Sequence, residues 1–337
     1  MIEKFWTGNS LGYRVGRLAL APLEGLYRSA VAIRGELFER GMLAVHPSPI
    51  AVVSVGNLTV GGTGKTPVSA WIAARLLALG RKPAIVLRGY GDDEPIVHSR
   101  LNPGVEVIVE KNRSAGIARA MASGADAAVL DDAFQHRAAA RDLDIVLVSA
   151  DSWTGRQHLL PAGPYRESPD GIRRASLIVI TRKAAVDTAV GEVKSWVERI
   201  APAKPVVVAR LVHSRLVRAG PPDDELDVNA IRGKRILAIA AIGNASAFFR
   251  QLESHGASVV PLRFADHHAF SGKDVRRAVA LARGMDFVVC TLKDAVKLAP
   301  IWPATEAPLW YVSLSVEVES GEAVLDEMLK RLPARAD

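Results

Sequence analysis

Residues 54–77, SVGNLTVGGTGKTPVSAWIAARLL, limit the possible folds more than any other stretch of the chain. A Val-rich run enters a glycine-rich turn, the turn ends at Lys65-Thr66, and an amphipathic helical pattern begins there. Glycines at 61, 62 and 64 allow backbone N–H groups to turn inward toward phosphate oxygens, and a helix N-terminus adds a favourable dipole. Gly61, Gly62, Thr63, Gly64, Lys65 and Thr66 are therefore the nucleotide-binding candidates. Lys65 can reach β- and γ-phosphates, and the Thr66 hydroxyl can ligate Mg²⁺. The usual G-x-x-x-x-G-K-[ST] spacing has glycine where this chain has Thr59. An ordinary glycine-rich turn would explain the glycines but not Lys-Thr at the start of the helix.

The rest of the chain reads as α/β. Short runs rich in Val and Ile, without polar alternation, lie at 50–55, 84–87, 105–109, 127–130, 144–148, 177–180 and 205–211. Such runs suit parallel strands covered on both faces, and helical stretches at 66–79 and 114–123 fall between them. A second, shorter series has strands at 236–242, 259–264, 286–290 and 309–314, with helices near 246–255, 273–283 and 319–332. The expected fold is P-loop NTPase-like: a doubly wound, mostly parallel sheet, a second, smaller α/β domain and an N-terminal amphipathic helix. The polar stretch 214–235, with its Pro-Pro and two acid pairs, supplies the boundary. Residues 1–45 are then an N-terminal segment, 46–220 the P-loop domain and 221–337 the smaller domain.

The 337 residues carry 43 Lys+Arg against 36 Asp+Glu, a formal net charge of +7, and 49% are apolar. That balance excludes a disordered tail or a fibre, and the single Cys290 excludes an internal disulfide. The positive surplus admits nucleic acid, an anionic membrane or a phosphorylated substrate. No zinc-finger spacing, basic zipper or aromatic–basic RNA signature accompanies it, so nucleic acid is not an expected partner. MIEKFWTGNS does not read as a signal peptide, and no stretch approaches 18 uncharged apolar residues. In 18–39, Leu23, Leu26, Tyr27, Ala30, Val31, Leu37 and Phe38 recur at helical spacing. A helix packed on the core fits this pattern; so does a helix lying in a membrane interface, with Phe5, Trp6, Arg14 and Arg17 just upstream. Charge does not separate the two, because residues 1–45 hold six Lys/Arg and four Glu.

A P-loop also needs a carboxylate at the end of a neighbouring strand. AAVLDDAFQH (127–136) supplies Asp131 and Asp132. Asp is common where strands end, but two adjacent carboxylates repel, and a dication beside them removes that cost. Both are metal candidates together with Thr66. Gln135 and His136 are either structural or site-lining. Arg88, Arg113 and Arg166 could bind phosphate or make surface ion pairs, and Arg166 is the one chosen.

Eight motifs follow in order: GNLTVGGTGKTP, RGYG (88–91), DEP (93–95), DDAFQH (131–136), RD (141–142), LLPAGPYRES (159–168), FADHHAF (264–270) and TLKDAVKL (291–298). Together they resemble the tetraacyldisaccharide 4′-kinase family, the lipid A 4′-kinases of Gram-negative bacteria, from about residue 18 to 298. The resemblance implies ATP and Mg²⁺ as cofactors and transfer of the γ-phosphate to the 4′-hydroxyl of a tetraacylated glucosamine disaccharide 1-phosphate, giving lipid IVA. It implies a peripheral monomer at the cytoplasmic face of the inner membrane, with a glycolipid substrate, an anionic membrane surface as partner and residues 1–45 as the membrane-associating segment. By resemblance, Asp132 with Asp131 supports magnesium, and Asp93 is the catalytic carboxylate paired with His267. Glu94, His136, Arg166 and Glu167 match other positions near the family's site.

A carboxylate can accept the proton of an attacking hydroxyl, and a bonded histidine can orient it. Taken alone, Asp93 reads as a turn residue before Pro95, and His267 as a cap or surface histidine beside His268. With Asp93 assigned to the first domain and His267 to the second, the expected site lies between them, the smaller domain closing over it. The chain departs from the family at Ala133, Ser168, Leu292 and Lys111-Asn112-Arg113, so Leu292 receives no catalytic role. A P-loop ATPase or GTPase switch of the partitioning or metal-delivery type is the alternative; FADHHAF, which a switch does not need, argues against it.

Overall fold

A computed structural model describes residues 5–334 apart from 7, 9, 90–92 and 223. Tyr90 and Gly91 of the RGYG motif lie outside the described residues. Two helices, α1 (Leu11–Ala19) and α2 (Ala21–Glu39), precede strand β1 (Ala51–Asn57). Then come α3 (Lys65–Ala78), β2 (Pro83–Leu87), α4 (Asp93–Leu101), β3 (Glu106–Val109), α5 (Arg113–Ala122), β4 (Ala127–Asp131) and β5 (Leu143–Ser149). They are followed by β6 (Leu177–Arg182), α6 (Asp187–Ile200), β7 (Val206–Arg218), β8 (Glu225–Asp227) and β9 (Arg235–Ala240). The series ends with α7 (Ala245–Ser254), β10 (Ser258–Arg263), α8 (Gly272–Ala282), β11 (Phe287–Thr291), α9 (Leu292–Leu298), β12 (Leu309–Ser320) and α10 (Glu322–Lys330).

The chain forms two compact units. The first comprises residues up to Gly89, Leu101–Leu211 and the chain from Val316; the second comprises the described residues of 90–100 and Val212–Ser315. This corrects the expected division at 220/221. The polar composition that suggested a linker begins inside β7, which continues as one strand to Arg218, and Arg215–Val217 pair antiparallel with β8. The segment carrying Asp93 belongs to the second unit, and α10 returns to the first.

In the first unit the parallel strands run β7-β6-β5-β1-β4-β2-β3. All seven residues of β1, all five of β4 and all seven of β5 are buried, which is why these runs lack polar alternation. The order reverses around β1, and such a switch point leaves a crevice at the carboxyl ends of the strands. Val68, Ile72, Ala73 and Leu76 of α3 pack with Val53, Val55, Ile85 and Val129 of the sheet. Leu325, Leu329 and Leu332 join the same cluster, and Arg75 pairs with Glu322 and Asp326 of α10. In the second unit β10, β9, β11 and β12 are parallel neighbours.

The apolar stripe of the second helix is divided: Tyr27, Val31, Leu37 and Phe38 are partly buried, whereas others face outward. Leu23 and Leu26 are exposed, as are Leu11, Val15, Leu18 and Ile33. The inward positions belong to Glu24, whose carboxylate accepts the Leu159 N–H at 2.9 Å, and Tyr27, whose hydroxyl donates to the Arg166 carbonyl at 2.8 Å. Upstream, buried Arg17 donates to the carbonyls of Phe5 and Gly8, and the Trp6 indole donates to Pro161. Polar bonds fix these helices while most of their leucines face solvent.

Candidate active site

The glycine-rich loop leaves β1 at Asn57 and ends at Gly64, the N-cap of α3. Gly64 has φ 90°, and a Cβ there would lie 2.4 Å from a Leu211 methyl, so geometry and space both require glycine. Buried Thr63 fixes the loop from two sides: its hydroxyl accepts from Asn57 Nδ2 at 2.8 Å and its carbonyl accepts from Thr181 Oγ1 at 2.9 Å. Lys65 Nζ lies 3.4 Å from the Gly61 carbonyl and 3.8 Å from Asp132 Oδ1. A phosphate arriving in the loop competes directly for that ammonium.

β4 pairs with β1 in parallel, Val55 opposite Asp131, so the aspartates stand beside the loop's origin. Asp131 is buried, and its Oδ1 accepts from Ser69 of α3 at 2.8 Å. Thr66 precedes Ser69 by three residues, on the same helical face and one turn nearer the loop. Asp132 has φ 48°, a left-handed conformation that Asp tolerates better than most residues. Its Oδ1 accepts from Arg166 at 2.7 Å. Ala133 is fully buried in the turn that follows.

One hydroxyl and two carboxylates are hard oxygen donors of the kind Mg²⁺ takes, with phosphate oxygens and water completing its shell. The residues therefore fit that ion. Among the described residues, no group of three or more His, Cys, Asp or Glu could hold a metal alone.

Behind Asp132 runs a polar chain. Gln135 Nε2 donates to the Asn57 carbonyl and to Glu167 Oε1, both at 2.8 Å, while Glu167 Oε2 accepts from Arg174 at 2.6 Å. Arg166 also reaches Gln135 Oε1 at 3.4 Å. Burial, reinforced by Arg113, Arg88 and Arg34, pushes His136 down to about 4, so it is neutral near pH 7. The first unit thus brings together Lys65, Asp131, Asp132, Arg166 and Glu167 with the loop.

Asp93 and His267 both belong to the second unit, which corrects the expectation that the two domains divide them. Asp93 opens α4, with half-buried Glu94 beside it in the first turn. It is 8% exposed, and its Oδ2 is 3.4 Å from Lys297 Nζ. His267 has φ 57°; its backbone N–H donates to the Ala241 carbonyl at 3.1 Å, while its exposed ring lies 4.0 Å from Asp266. His268 stacks on Phe264 and meets Asp274 at 3.2 Å. Among the described residues, no hydrogen bond or ion pair joins Asp93 to either histidine.

Sequence reasoning missed Ser69, Lys297 and Asp294, and offered Arg113 only as a phosphate ligand or surface ion-pair partner. Arg113 is buried and donates to the Asp131 carbonyl at 2.9 Å, while the neighbouring Asn112 caps α5. The i,i+3 spacing of Asp294 and Lys297 in TLKDAVKL was the available signal.

The family model described as tetraacyldisaccharide-1-P 4′-kinase matches residues 16–333. The chain belongs to this family. A tetraacyldisaccharide 4′-kinase from Anaeromyxobacter sp. (strain Fw109-5) is 37% identical, the match covering 100% of this chain and 98% of the relative. One from Azoarcus sp. (strain BH72) is 35% identical, covering 94% and 92%. A crystal structure of LpxK from Aquifex aeolicus, described as an "apo" form in complex with ATP, superposes with a TM-score of 0.74. It is 26% identical, and the match covers 94% of this chain and 98% of that one. Family membership over both units makes this chain a tetraacyldisaccharide 4′-kinase family enzyme rather than a partitioning or metal-delivery switch.

Proposed function

We propose that this chain transfers the γ-phosphate of ATP to the 4′-hydroxyl of a tetraacylated glucosamine disaccharide 1-phosphate, forming lipid IVA. The observation that carries the reading is the Ser69–Asp131 hydrogen bond, which ties the helix behind an intact Gly61–Thr66 loop to the paired aspartates. In this reading the loop N–H groups and Lys65 bind the triphosphate, Lys65 leaving Asp132 for the phosphates. Thr66, Asp131 and Asp132 would hold Mg²⁺, which would supply positive charge to the phosphate oxygens when bound. Arg166 holds Asp132 in place, and Glu167 fixes Gln135 behind it. Glu94 and His136 are proposed to line the site.

Asp93 accepts the proton of the 4′-hydroxyl as its oxygen attacks phosphorus; the bond to the β–γ bridging oxygen breaks, and ADP departs with that electron pair. His267 orients the carboxylate when substrate is bound. For the membrane, we propose that Leu11, Val15 and Leu18, spaced along one side of α1, and Leu23, Leu26 and Ile33 of α2 enter the interface at the cytoplasmic face of the inner membrane. No described helix is long and apolar enough to cross a membrane.

The test supplies purified protein with Mg-ATP and the tetraacyldisaccharide 1-phosphate in detergent micelles. Phosphate should appear on the lipid. ATP hydrolysis with no labelled lipid would overturn the reading.

A further inference from the structure

The second unit contains a buried group that the reaction scheme leaves unused. Asp294, in the first turn of α9, is completely buried. Its Oδ2 accepts from Thr291 Oγ1 at 2.7 Å and from the backbone N–H of Ala241 at 3.1 Å, while Oδ1 has no hydrogen-bond partner among the described residues. Burial raises its pKa, the two hydrogen bonds and the Lys297 charge oppose that rise, and the Asp93 charge adds to it. Leaving a carboxylate in this setting is costly for stability alone, since a well-packed apolar residue would fill the space without it.

Two routes lead outward from Asp294. The Ala241 peptide that donates to Asp294 also presents its carbonyl to the His267 N–H at 3.1 Å. His267 holds a left-handed backbone, which is strained for a residue with a side chain and persists only where neighbours enforce it. The second route runs through Lys297, one turn along α9, whose ammonium meets Asp93 Oδ2 at 3.4 Å. One short helix therefore touches the supports of both Asp93 and His267.

We propose that Asp294 and Lys297 are positioning residues for the kinase reaction: Asp294 fixes the Ala241 peptide and hence the backbone of His267, and Lys297 holds the Asp93 carboxylate in place through their 3.4 Å contact. This rests on the reading that Asp93 and His267 act on the acceptor hydroxyl. Neither Asp294 nor Lys297 needs to touch substrate.

The test measures kcat and the KM for ATP in the micelle assay, for Asp294→Ala, Asp294→Asn, Lys297→Met and Lys297→Arg, alone and combined with Asp93→Ala. Asp294→Ala should lower kcat about 30-fold while the ATP KM stays within about twofold, as expected when reacting groups are misplaced. Asp294→Asn, which keeps an oxygen for the Ala241 N–H, should lose less. Lys297→Met should lower kcat about tenfold with the ATP KM within about twofold, because the carboxylate loses the partner that orients it, and Lys297→Arg should restore most of the rate. On the Asp93→Ala background, Lys297→Met should change the residual rate by less than about twofold.

Equal losses from Lys297→Met with and without Asp93 would mark Lys297 as merely structural and overturn its part. An unchanged kcat in Asp294→Ala would overturn the rest; should that variant not fold, an unchanged kcat in Asp294→Asn together with an unchanged kcat in Lys297→Met would do so. If Asp93→Ala alone kept full kcat, the Asp93 reading would fall and this proposal with it. An inactive Asp93→Ala beside a fully active Asp294→Ala would sink the Asp294 proposal alone.

Discussion

Ser69 Oγ donates to Asp131 Oδ1 across 2.8 Å, and both side chains are buried. A helix that begins at the phosphate loop is thereby locked in register with the strand that ends in the paired aspartates. Ser69→Ala should cost about 2 kcal/mol of stability, the range for a hydrogen bond to a charged group. It should also raise the Mg²⁺ concentration needed for half-maximal activity. Thermal unfolding and a magnesium titration of the rate check both; unchanged values would mean the bond does not support the site.

Lys65→Met should remove at least about 100-fold from kcat/KM for ATP, since a charge meeting the transferring phosphoryl group is lost. Folding should survive, because the Asp132 carboxylate that faces Lys65 at 3.8 Å keeps its 2.7 Å bond from Arg166. Steady-state kinetics with circular dichroism of the variant tests this, and a near-normal kcat/KM would remove Lys65 from the proposed role.

Asp93→Ala should lower kcat by about 100-fold to 10,000-fold, the usual contribution of a general base, with the ATP KM little changed. Measuring both parameters separates a catalytic carboxylate from one that only supports nucleotide binding. A raised KM at normal kcat would contradict the assignment.

Replacing Leu11 and Leu18, each 75% exposed, by serine should cut partitioning into anionic vesicles by at least about 100-fold, because each buried leucine contributes roughly 1.5–3 kcal/mol. Vesicle sedimentation reads the partitioning. Equal binding of the variant and the parent would show that these leucines do not enter the interface.

His136 has an ordinary value of 6.5 and a folded value of about 4. Between those values the unfolded chain binds more protons, so this group's contribution to stability rises with pH across the window and is complete above about 6.5. Urea midpoints measured from pH 4 to 7 should rise more steeply for the parent than for His136→Gln. Parallel curves would assign the slope to other groups.

Much of this fold could be read directly. β1, β4, β5 and β6 were visible because burial on both faces removes polar residues from the run, and Lys65-Thr66 marked the start of α3. The failures share a cause: they depend on partners distant in sequence. Glu24 occupies the inward face of α2 beside Tyr27 because the Leu159 N–H awaits it, more than 130 residues away, and local periodicity cannot register that. Asp93 was assigned to the wrong unit because its partner, Lys297, is contributed by α9. β7 ran past its expected end because its pairing with β8 compensates for a polar sequence.

The return of α10 to the first unit has a consequence for synthesis. Leu325, Leu329 and Leu332 complete the cluster around Leu76, yet they leave the ribosome only after every residue of the second unit has emerged. Until then the nucleotide-binding unit has an apolar layer uncovered and Arg75 without its acidic partners, a state prone to association with other chains. The second unit meets no such delay beyond Ser315 and can finish first. The unit whose synthesis begins first is thus the last to have its full sequence available.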